Sequence, residues 1–450
     1  MEIKTVLIAN RGEIARRVIR TCCQLGIRTV AVYSEADASM PYVHEADKAA
    51  LIGLAPVSQS YLNIDAIIKA AKEHKADAIH PGYGLLSENA GFARRCQEEG
   101  IIFIGPDAAV MEEMGDKIRA RKKMTDAGVP VVPGYNGNIP TVEDACKIAG
   151  EIGYPVMLKA SAGGGGIGMQ ICYTDEDIAK AFLSAKSRAK AYFGNDDMFI
   201  EKYIENPHHI EVQIAGDVHG TIVHLYEREC SIQRRHQKVI EESPSPFLDA
   251  AVRLSICSAG IKAAQAVNYT GVGTVEFIMN GDKEYFFLEM NTRLQVEHPV
   301  TEGITGIDLV ALQLAIAEGK ALPFSQEEIA AWGHAMELRI YAEDPVTFMP
   351  SPGKVTDYRV PQGAGIRVDD AIKAGITITP FYDPMIGKLI VTGETREDVI
   401  NRASAAVKEY KVEGIKTNLS MLGNVLENQK FRDGIYTTRF VEEMKNRSNA

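Results

Sequence analysis

Apolar and polar positions switch between two periods along this chain. In the first hundred residues, 6–10 reads as a buried strand, 13–25 as a helix stopped by Gly26, and 28–33 as the next strand. Further on, 76–80 reads as a strand, 87–99 as a helix and 101–105 as another strand. Repeated βαβ units of this length predict a parallel sheet with helices on both faces. A connecting helix over 115–128 leads to Val-Pro-Val-Val-Pro-Gly, which marks a new unit containing a strand at 155–159. A larger mixed segment follows, then a Pro/Gly-punctuated, strand-rich region over 333–393 and a closing helix at 396–410. The expected division is 1–114, a helical linker at 115–130, a small unit at 131–204, a core at 205–332 and a β-rich end at 333–450. The fold class is mixed, α/β followed by α+β.

The densest chemistry lies between Glu276 and Glu297. If 281–284 form a four-residue hairpin loop, Glu276 and Glu289 face each other across an antiparallel pair. From Glu289 every second residue is polar: Asn291, Arg293, Gln295 and Glu297 would share its face for as long as the chain stays extended, with Met290, Leu294 and Val296 on the other. Opposed carboxylates destabilise a hairpin unless a cation lies between them, and oxygen ligands of this kind suit Mg2+ or Mn2+.

Bulk properties narrow the setting. At 450 residues the chain is too long for one core, and 46% hydrophobic and 24% charged residues are ordinary for a soluble globular protein. A net charge of −11 argues against a nucleic-acid partner. The start runs straight into a strand, and no apolar run approaches a membrane span, so a cytoplasmic protein with no membrane association is expected. Seven scattered cysteines without Cys-x-x-Cys read as reduced thiols.

Two features point to phosphate. Gly163, Gly164, Gly165, Gly166 and Gly168 leave backbone N–H groups free to close on phosphate oxygens, and Lys159 precedes them on a strand. Lys117 starts a helix and supplies a second candidate clamp. Neither a Walker loop nor the spacing of a dinucleotide unit is present, although the N-terminal architecture is Rossmann-like. A further cluster, Gln-Arg-Arg-His-Gln-Lys at 233–238, is basic in an acidic chain; it is either an anion site or an exposed basic turn.

These pieces together resemble the biotin carboxylase family of the ATP-grasp superfamily over essentially the whole chain. The resemblance rests on Ile-Ala-Asn-Arg-Gly-Glu-Ile at 8–14, His-Pro-Gly-Tyr-Gly at 80–84 with Ser-Glu-Asn at 87–89, Gly-Asp-Lys at 115–117, the glycine run, 233–238, and Glu-Met-Asn-Thr-Arg-Leu-Gln-Val-Glu-His-Pro at 289–299. It implies an ATP-grasp fold in which 131–204 is a mobile lid. It implies that Lys117, Lys159 and His209 contact nucleotide phosphates, under a loop from Gly163 to Met169. Glu201 and Lys202 would meet the adenine, with Gln233 and His236 near the nucleotide. Glu276, Glu289 and Asn291 would bind metal, two Mg2+ or Mn2+ ions in all. Arg293, Gln295 and Val296 would cradle bicarbonate, Glu297 would be the general base, and Lys238 and Arg339 would flank carboxyphosphate and biotin.

The implied activity is ATP-dependent carboxylation of biotin, and the implied partners are a separate biotin carboxyl carrier protein, a carboxyltransferase subunit and a second copy of the chain. The assembly would be an acetyl-CoA, pyruvate or acyl-CoA carboxylase. Ala162 and Ile167 depart from a family pattern of Gly and a basic residue. No biotin-attachment Ala-Met-Lys-Met motif occurs, so biotin is expected on another polypeptide. An ATP-grasp ligase for another acid, or a non-catalytic ATP-binding regulator, are the rival readings.

Overall fold

The computed structural model describes residues 2–135, 137, 139–160, 169–193 and 197–448. Strands β1 (Thr5–Ile8), β2 (Arg28–Ser34), β3 (Lys48–Gly53), β4 (Ala78–His80) and β5 (Ile102–Phe103) form the expected parallel sheet, in the order β3-β2-β1-β4-β5. The helix expected at 87–99 starts later, as Ala90–Glu98, because the Asn89 side chain takes the Phe92 N–H and fixes the first turn there. The expected connecting helix spans Lys117–Asp126, and a helix the sequence reading did not include, Ala108–Gly115, precedes it. Asp116 divides them: its backbone is extended, and its carboxylate accepts the N–H groups of Ile118 and Arg119.

The next unit is a three-stranded antiparallel sheet, β6 (Val156–Ala160), β7 (Gln170–Cys172) and β8 (Met198–Lys202), in the order β7-β6-β8. Helices Val142–Ile152 and Asp175–Phe193 pack on it. The glycine run, with Ala162 and Ile167, lies outside the described residues.

The main sheet has eight strands. β9 (His208–Gly216), β10 (Ile222–Arg234), β11 (Gln237–Ser243), β12 (Gly271–Met279), β13 (Tyr285–Asn291) and β14 (His334–Tyr341) are joined by later strands. Among these, β15 (Gly353–Lys354), β16 (Asp357–Arg359), β18 (Thr377–Ile378) and β20 (Lys411–Glu413) form two small ladders, while β17 (Ile366–Asp370) and β19 (Met385–Gly393) complete the large sheet. Its order is β13-β12-β9-β10-β11-β14-β19-β17, so hydrogen bonding runs without a break from the segment before position 333 into the segment after it. The helix Arg396–Glu409 is not the last, since Leu419–Glu427, Gln429–Arg432 and Phe440–Ser448 follow. Glu242 ties this end down by accepting from Arg396, His334 and the Tyr436 hydroxyl. Burial would raise its carboxyl, but His334 and Arg396 outweigh that and hold it down at about 2.

Period-two alternation gives the central strands two unlike faces. Ile210, Val212 and Ile214 of β9 pair with Phe277, Val275 and Gly273 of β12 on one side. They form a core with Ile256, Cys257 and Ala263 of the helix Ala250–Ala266. Intervening positions put His209, Glu211, Gln213, Thr274 and Glu276 on the opposite face, which carries the site.

No single helix among the described residues is long and apolar enough to cross a membrane. All seven cysteines are free thiols.

Gly260 lets the helix Ala250–Ala266 approach β9, since a Cβ there would stand 2.7 Å from Val212 Cγ1 and 3.0 Å from Val212 Cβ. Gly260→Ala gains helix propensity but forces a stiff β-branched neighbour aside, and the clash wins. The expected result is a net loss of about 1–2 kcal/mol, read as a lower denaturant midpoint; an unchanged or higher midpoint refutes this packing argument.

Candidate functional site

Glu276 of β12 and Glu289 of β13 are direct partners in the antiparallel ladder, as the hairpin argument required. The route differs from expectation. Met279 pairs with Tyr285, so the loop holds five residues, 280–284, closed by the Asn280 N–H to Glu284 carbonyl bond. A bulge between the Phe277–Phe287 and Glu276–Glu289 pairs shifts the register by one and restores the alignment of the two acids. The strand also ends at Asn291, earlier than the uninterrupted alternation implies, and 292–297 is irregular chain.

That irregular chain still delivers its side chains to one place. Asn291 Nδ2 and Gln295 Nε2 each donate to Glu276 Oε1 at 2.7 Å. Arg293 donates to Asn291 Oδ1 at 2.7 Å and, through Nε, to Glu88 Oε2 at 2.8 Å. Glu88, from the Ser-Glu-Asn segment of the N-terminal unit, also accepts the Thr292 N–H. Glu297 stands at the N-terminus of the helix His298–Thr305 with its carboxylate buried.

The row of acids is longer than the two read from the sequence. Glu211 of β9 is the cross-strand partner of Glu276, and Arg228 of β10 is the partner of Glu211, so Glu289, Glu276, Glu211 and Arg228 stand in register across four strands. Lys238 gathers three carboxylates, donating to Glu297 at 2.7 Å, to Glu276 at 3.1 Å and to Glu211. Arg228, fully buried, donates to Glu211 at 3.2 Å, to Gln213 at 2.6 Å, and to Gln295. His209 Nε2 lies 2.9 Å from Glu276 and 3.0 Å from Glu211, with Gln233 Nε2 3.1 Å from its other ring nitrogen. Arg339 of β14 donates to Glu297 Oε2 at 3.0 Å.

Burial opposes every charge here, so the sign of each shift shows which groups are compensated. It would raise the Glu276 carboxyl, but Lys238 and then His209 hold it well below the usual carboxylate range. Glu297 is likewise held down, by Lys238, Arg339 and Arg228. Glu289 moves the other way, raised first by the charge of Glu276; Lys117 is the largest counterweight. The Lys238 ammonium is held charged by Glu276 and Glu297 against its burial.

The oxygen donors fit a hard divalent cation. Glu289 is exposed, and repulsion from Glu276 raises its carboxyl, an imbalance that a cation beside the two would relieve. Among the described residues His209, Glu211 and Glu276 also converge, their ligand atoms within 4.8 Å of one another.

Other expected residues stand apart. In the small sheet Lys159 pairs with Glu201, and Lys202 donates to the Gly153 and Tyr154 carbonyls at 3.0 and 2.8 Å. His236 is exposed in the β10–β11 turn, Met169 is exposed after the glycine run, and Val296 contributes its carbonyl to Lys388 Nζ at 2.7 Å. Gly163, Gly164, Gly165, Gly166 and Gly168 lie outside the described residues.

Glu211, Arg228, Glu88 and Lys388 escape the sequence reading. The alternation His-Ile-Glu-Val-Gln at 209–213 carries a signal for Glu211, polar residues between apolar ones; nothing local marks Lys388, which sits on a distant strand.

Comparisons with known proteins agree over the chain's length. Residues 2–111 match the family description "Biotin carboxylase, N-terminal domain", 116–325 match "Carbamoyl-phosphate synthase L chain, ATP binding domain", and 337–443 match "Biotin carboxylase C-terminal domain". The chain is 59% identical over 438 residues to a biotin carboxylase of Halalkalibacterium halodurans, covering 97% of each. It is similar to the Campylobacter jejuni biotin carboxylase–β,γ-ATP complex, with a TM-score of 0.95, 48% identity and coverage of 98% and 99%. It is also similar to the biotin carboxylase domain dimer of Hydrogenobacter thermophilus 2-oxoglutarate carboxylase in complex with MgADP, ADP and bicarbonate, with a TM-score of 0.93, 50% identity and coverage of 98% of each.

Glu13 is linked to the site through Lys388, which donates to the Val296 carbonyl. Its carboxyl takes the Tyr83 hydroxyl and lies 3.4 Å from Lys388, and burial pushes it up to about 7. A carboxyl raised on folding contributes stability below its unfolded value near 4.5, and that contribution is lost as pH rises through 7. Between pH 5 and 8 the wild type should therefore lose on the order of 1–3 kcal/mol relative to Glu13→Gln in paired denaturation curves. Parallel stability–pH curves for the two proteins contradict the assignment.

Proposed function

The chain belongs to the biotin carboxylase family, and we propose that it carboxylates biotin with bicarbonate and ATP by way of carboxyphosphate. The observation that carries this reading is Glu297, a buried carboxylate kept ionised between Lys238 and Arg339, with Gln295 and Arg293 alongside. Bicarbonate is a poor nucleophile, and Glu297 takes its proton as it attacks the γ-phosphorus of ATP. Lys238 and Arg339 hold Glu297 ionised in the free protein; as they turn toward anionic substrates, the carboxylate becomes the stronger base. Arg293, Gln295 and the backbone of Val296 orient bicarbonate, with Arg293 braced by Glu88.

Lys117, Lys159 and His209 bind the phosphates, Glu201 and Lys202 meet the adenine, and Gln233 and His236 lie beside the nucleotide. The loop from Gly163 to Met169 closes over the phosphates and keeps water from carboxyphosphate. Glu276, Glu289 and Asn291 would hold Mg2+, or Mn2+, which when bound offsets charge on the transferring phosphoryl group. Phosphate released from carboxyphosphate takes the ureido proton of biotin, and the Arg339 guanidinium stabilises the resulting anion as a planar donor fork. The 131–204 unit acts as the lid, 205–332 as the catalytic core, and 333–450 completes the biotin side. Biotin arrives on a separate carrier protein, with a carboxyltransferase subunit taking the carboxyl onward and the chain working as a cytoplasmic homodimer. The H. thermophilus domain dimer supports the last point.

Glu297→Gln should bind MgATP nearly as the wild type does while bicarbonate-dependent ADP release falls about 10²–10⁴-fold; unchanged turnover removes Glu297 from the role of base. Arg339→Ala should lower carboxylation of free biotin far more than bicarbonate-dependent ATPase activity, and equal losses in the two assays speak against its place beside biotin. Stimulation of ADP release by another carboxylic acid in place of bicarbonate would identify a different ligase.

A further inference from the structure

Behind Arg339 lie two buried acids that the chemistry above does not use. Glu241 of β11 and Glu337 of β14 are direct cross-strand partners, and both are fully buried. Neither oxygen of Glu337 accepts a hydrogen bond among the described residues. Neither oxygen of Glu241 accepts a hydrogen bond among the described residues either; its one ion pair among them is with the Arg339 guanidinium, at 2.5 Å.

The charged groups packed around them are already engaged. On β14 itself Arg339 is divided between Glu241 and Glu297. Lys388 of β19 faces Val296 and Glu13, the latter from the helix Gly12–Gln24. Lys238 of β11 serves Glu211, Glu276 and Glu297, and Asp369 of β17 is paired with Arg367 and Arg20. Among the described residues Glu337 thus has no ion pair.

An uncompensated carboxylate in such a place costs several kcal/mol and takes up a proton instead. Burial first, and then the charge of Glu241, push the Glu337 carboxyl well up, although Lys388 pulls the other way. A neutral carboxylic acid needs an acceptor for its O–H, and the carboxylate placed opposite it in the ladder is Glu241.

We propose that Glu337 and Glu241 form a carboxylic acid–carboxylate pair sharing one proton, and that this pair positions the Arg339 guanidinium against Glu297. With Glu337 neutral, a single negative charge sits behind Arg339, enough to orient the fork while leaving its outer N–H groups for substrate. Were both acids ionised, their combined charge would draw the guanidinium off Glu297. The role is one of positioning, and it rests on the reading that Arg339 faces biotin.

The proton is tested without turnover. Infrared spectra of the ligand-free protein near neutral pH should show a protonated-carboxyl stretch that disappears in Glu337→Gln, persists in Glu13→Gln and shifts in Glu241→Gln. Absence of any band removed by Glu337→Gln overturns the shared proton, whatever the enzyme's substrate proves to be. The positioning role is tested kinetically. Glu241→Gln should lower kcat for carboxylation of free biotin by about tenfold to a hundredfold, with much smaller changes in bicarbonate-dependent ATPase activity and in KM for ATP. Glu337→Gln, which keeps a donor toward Glu241, should restore most of the carboxylation lost in Glu337→Ala. Equal losses in the Gln and Ala variants, or a parallel fall of both activities in Glu241→Gln, would overturn it.

Discussion

The site depends on a shortage of positive charge. Glu289, Glu276 and Glu211 stand in register on adjacent strands, with Glu297 beside them, and Lys238 alone reaches three of these four. Cross-strand acids repel, and desolvation adds to the cost, so this face holds together only because Lys238, Arg228 and Arg339 are shared rather than singly paired. Sharing also keeps those cations from being saturated. An anion or a cation entering here would meet groups whose present partners are divided, so charge could be redistributed without unfolding the wall that carries it.

The central strands can carry such a face because their other side is occupied by packing. Val212, Val275 and Phe277 meet the helix Ala250–Ala266 on the reverse of the sheet, so stability and chemistry are assigned to alternate residues of the same strands. A slip of one position in β9 or β12 would exchange the two sets, which explains why both strands are long and closely paired.

Much of this was legible in the sequence, for reasons of distance. The N-terminal alternation of strand and helix and the pairing of Glu276 with Glu289 are local properties, and periodicity shows them. Glu276 and Glu289 came into register through a longer loop and a bulge, two departures that cancel. A single-residue bulge leaves no clear mark on a hydrophobic pattern. Glu241 and Lys388 act on Arg339, Glu337 and Val296 from strands that lie far from them along the chain, so no short window contains both members of their contacts. The continuation of the main sheet past position 333 was hidden in the same way: Trp-Gly at 332–333 reads as punctuation, yet β14 extends the ladder begun by β11.

That continuity has a consequence for how the polypeptide can be taken apart. Cutting the gene between Trp332 and Gly333 would give two fragments with matching unpaired borders, β11 on one and β14 on the other, each a row of unsatisfied amides and carbonyls able to template self-association. The C-terminal quarter is therefore not an exchangeable module. It is the remainder of a wall whose other half carries Glu211, Glu276 and Glu289, and each part supplies the hydrogen-bonding partner of the other's border strand.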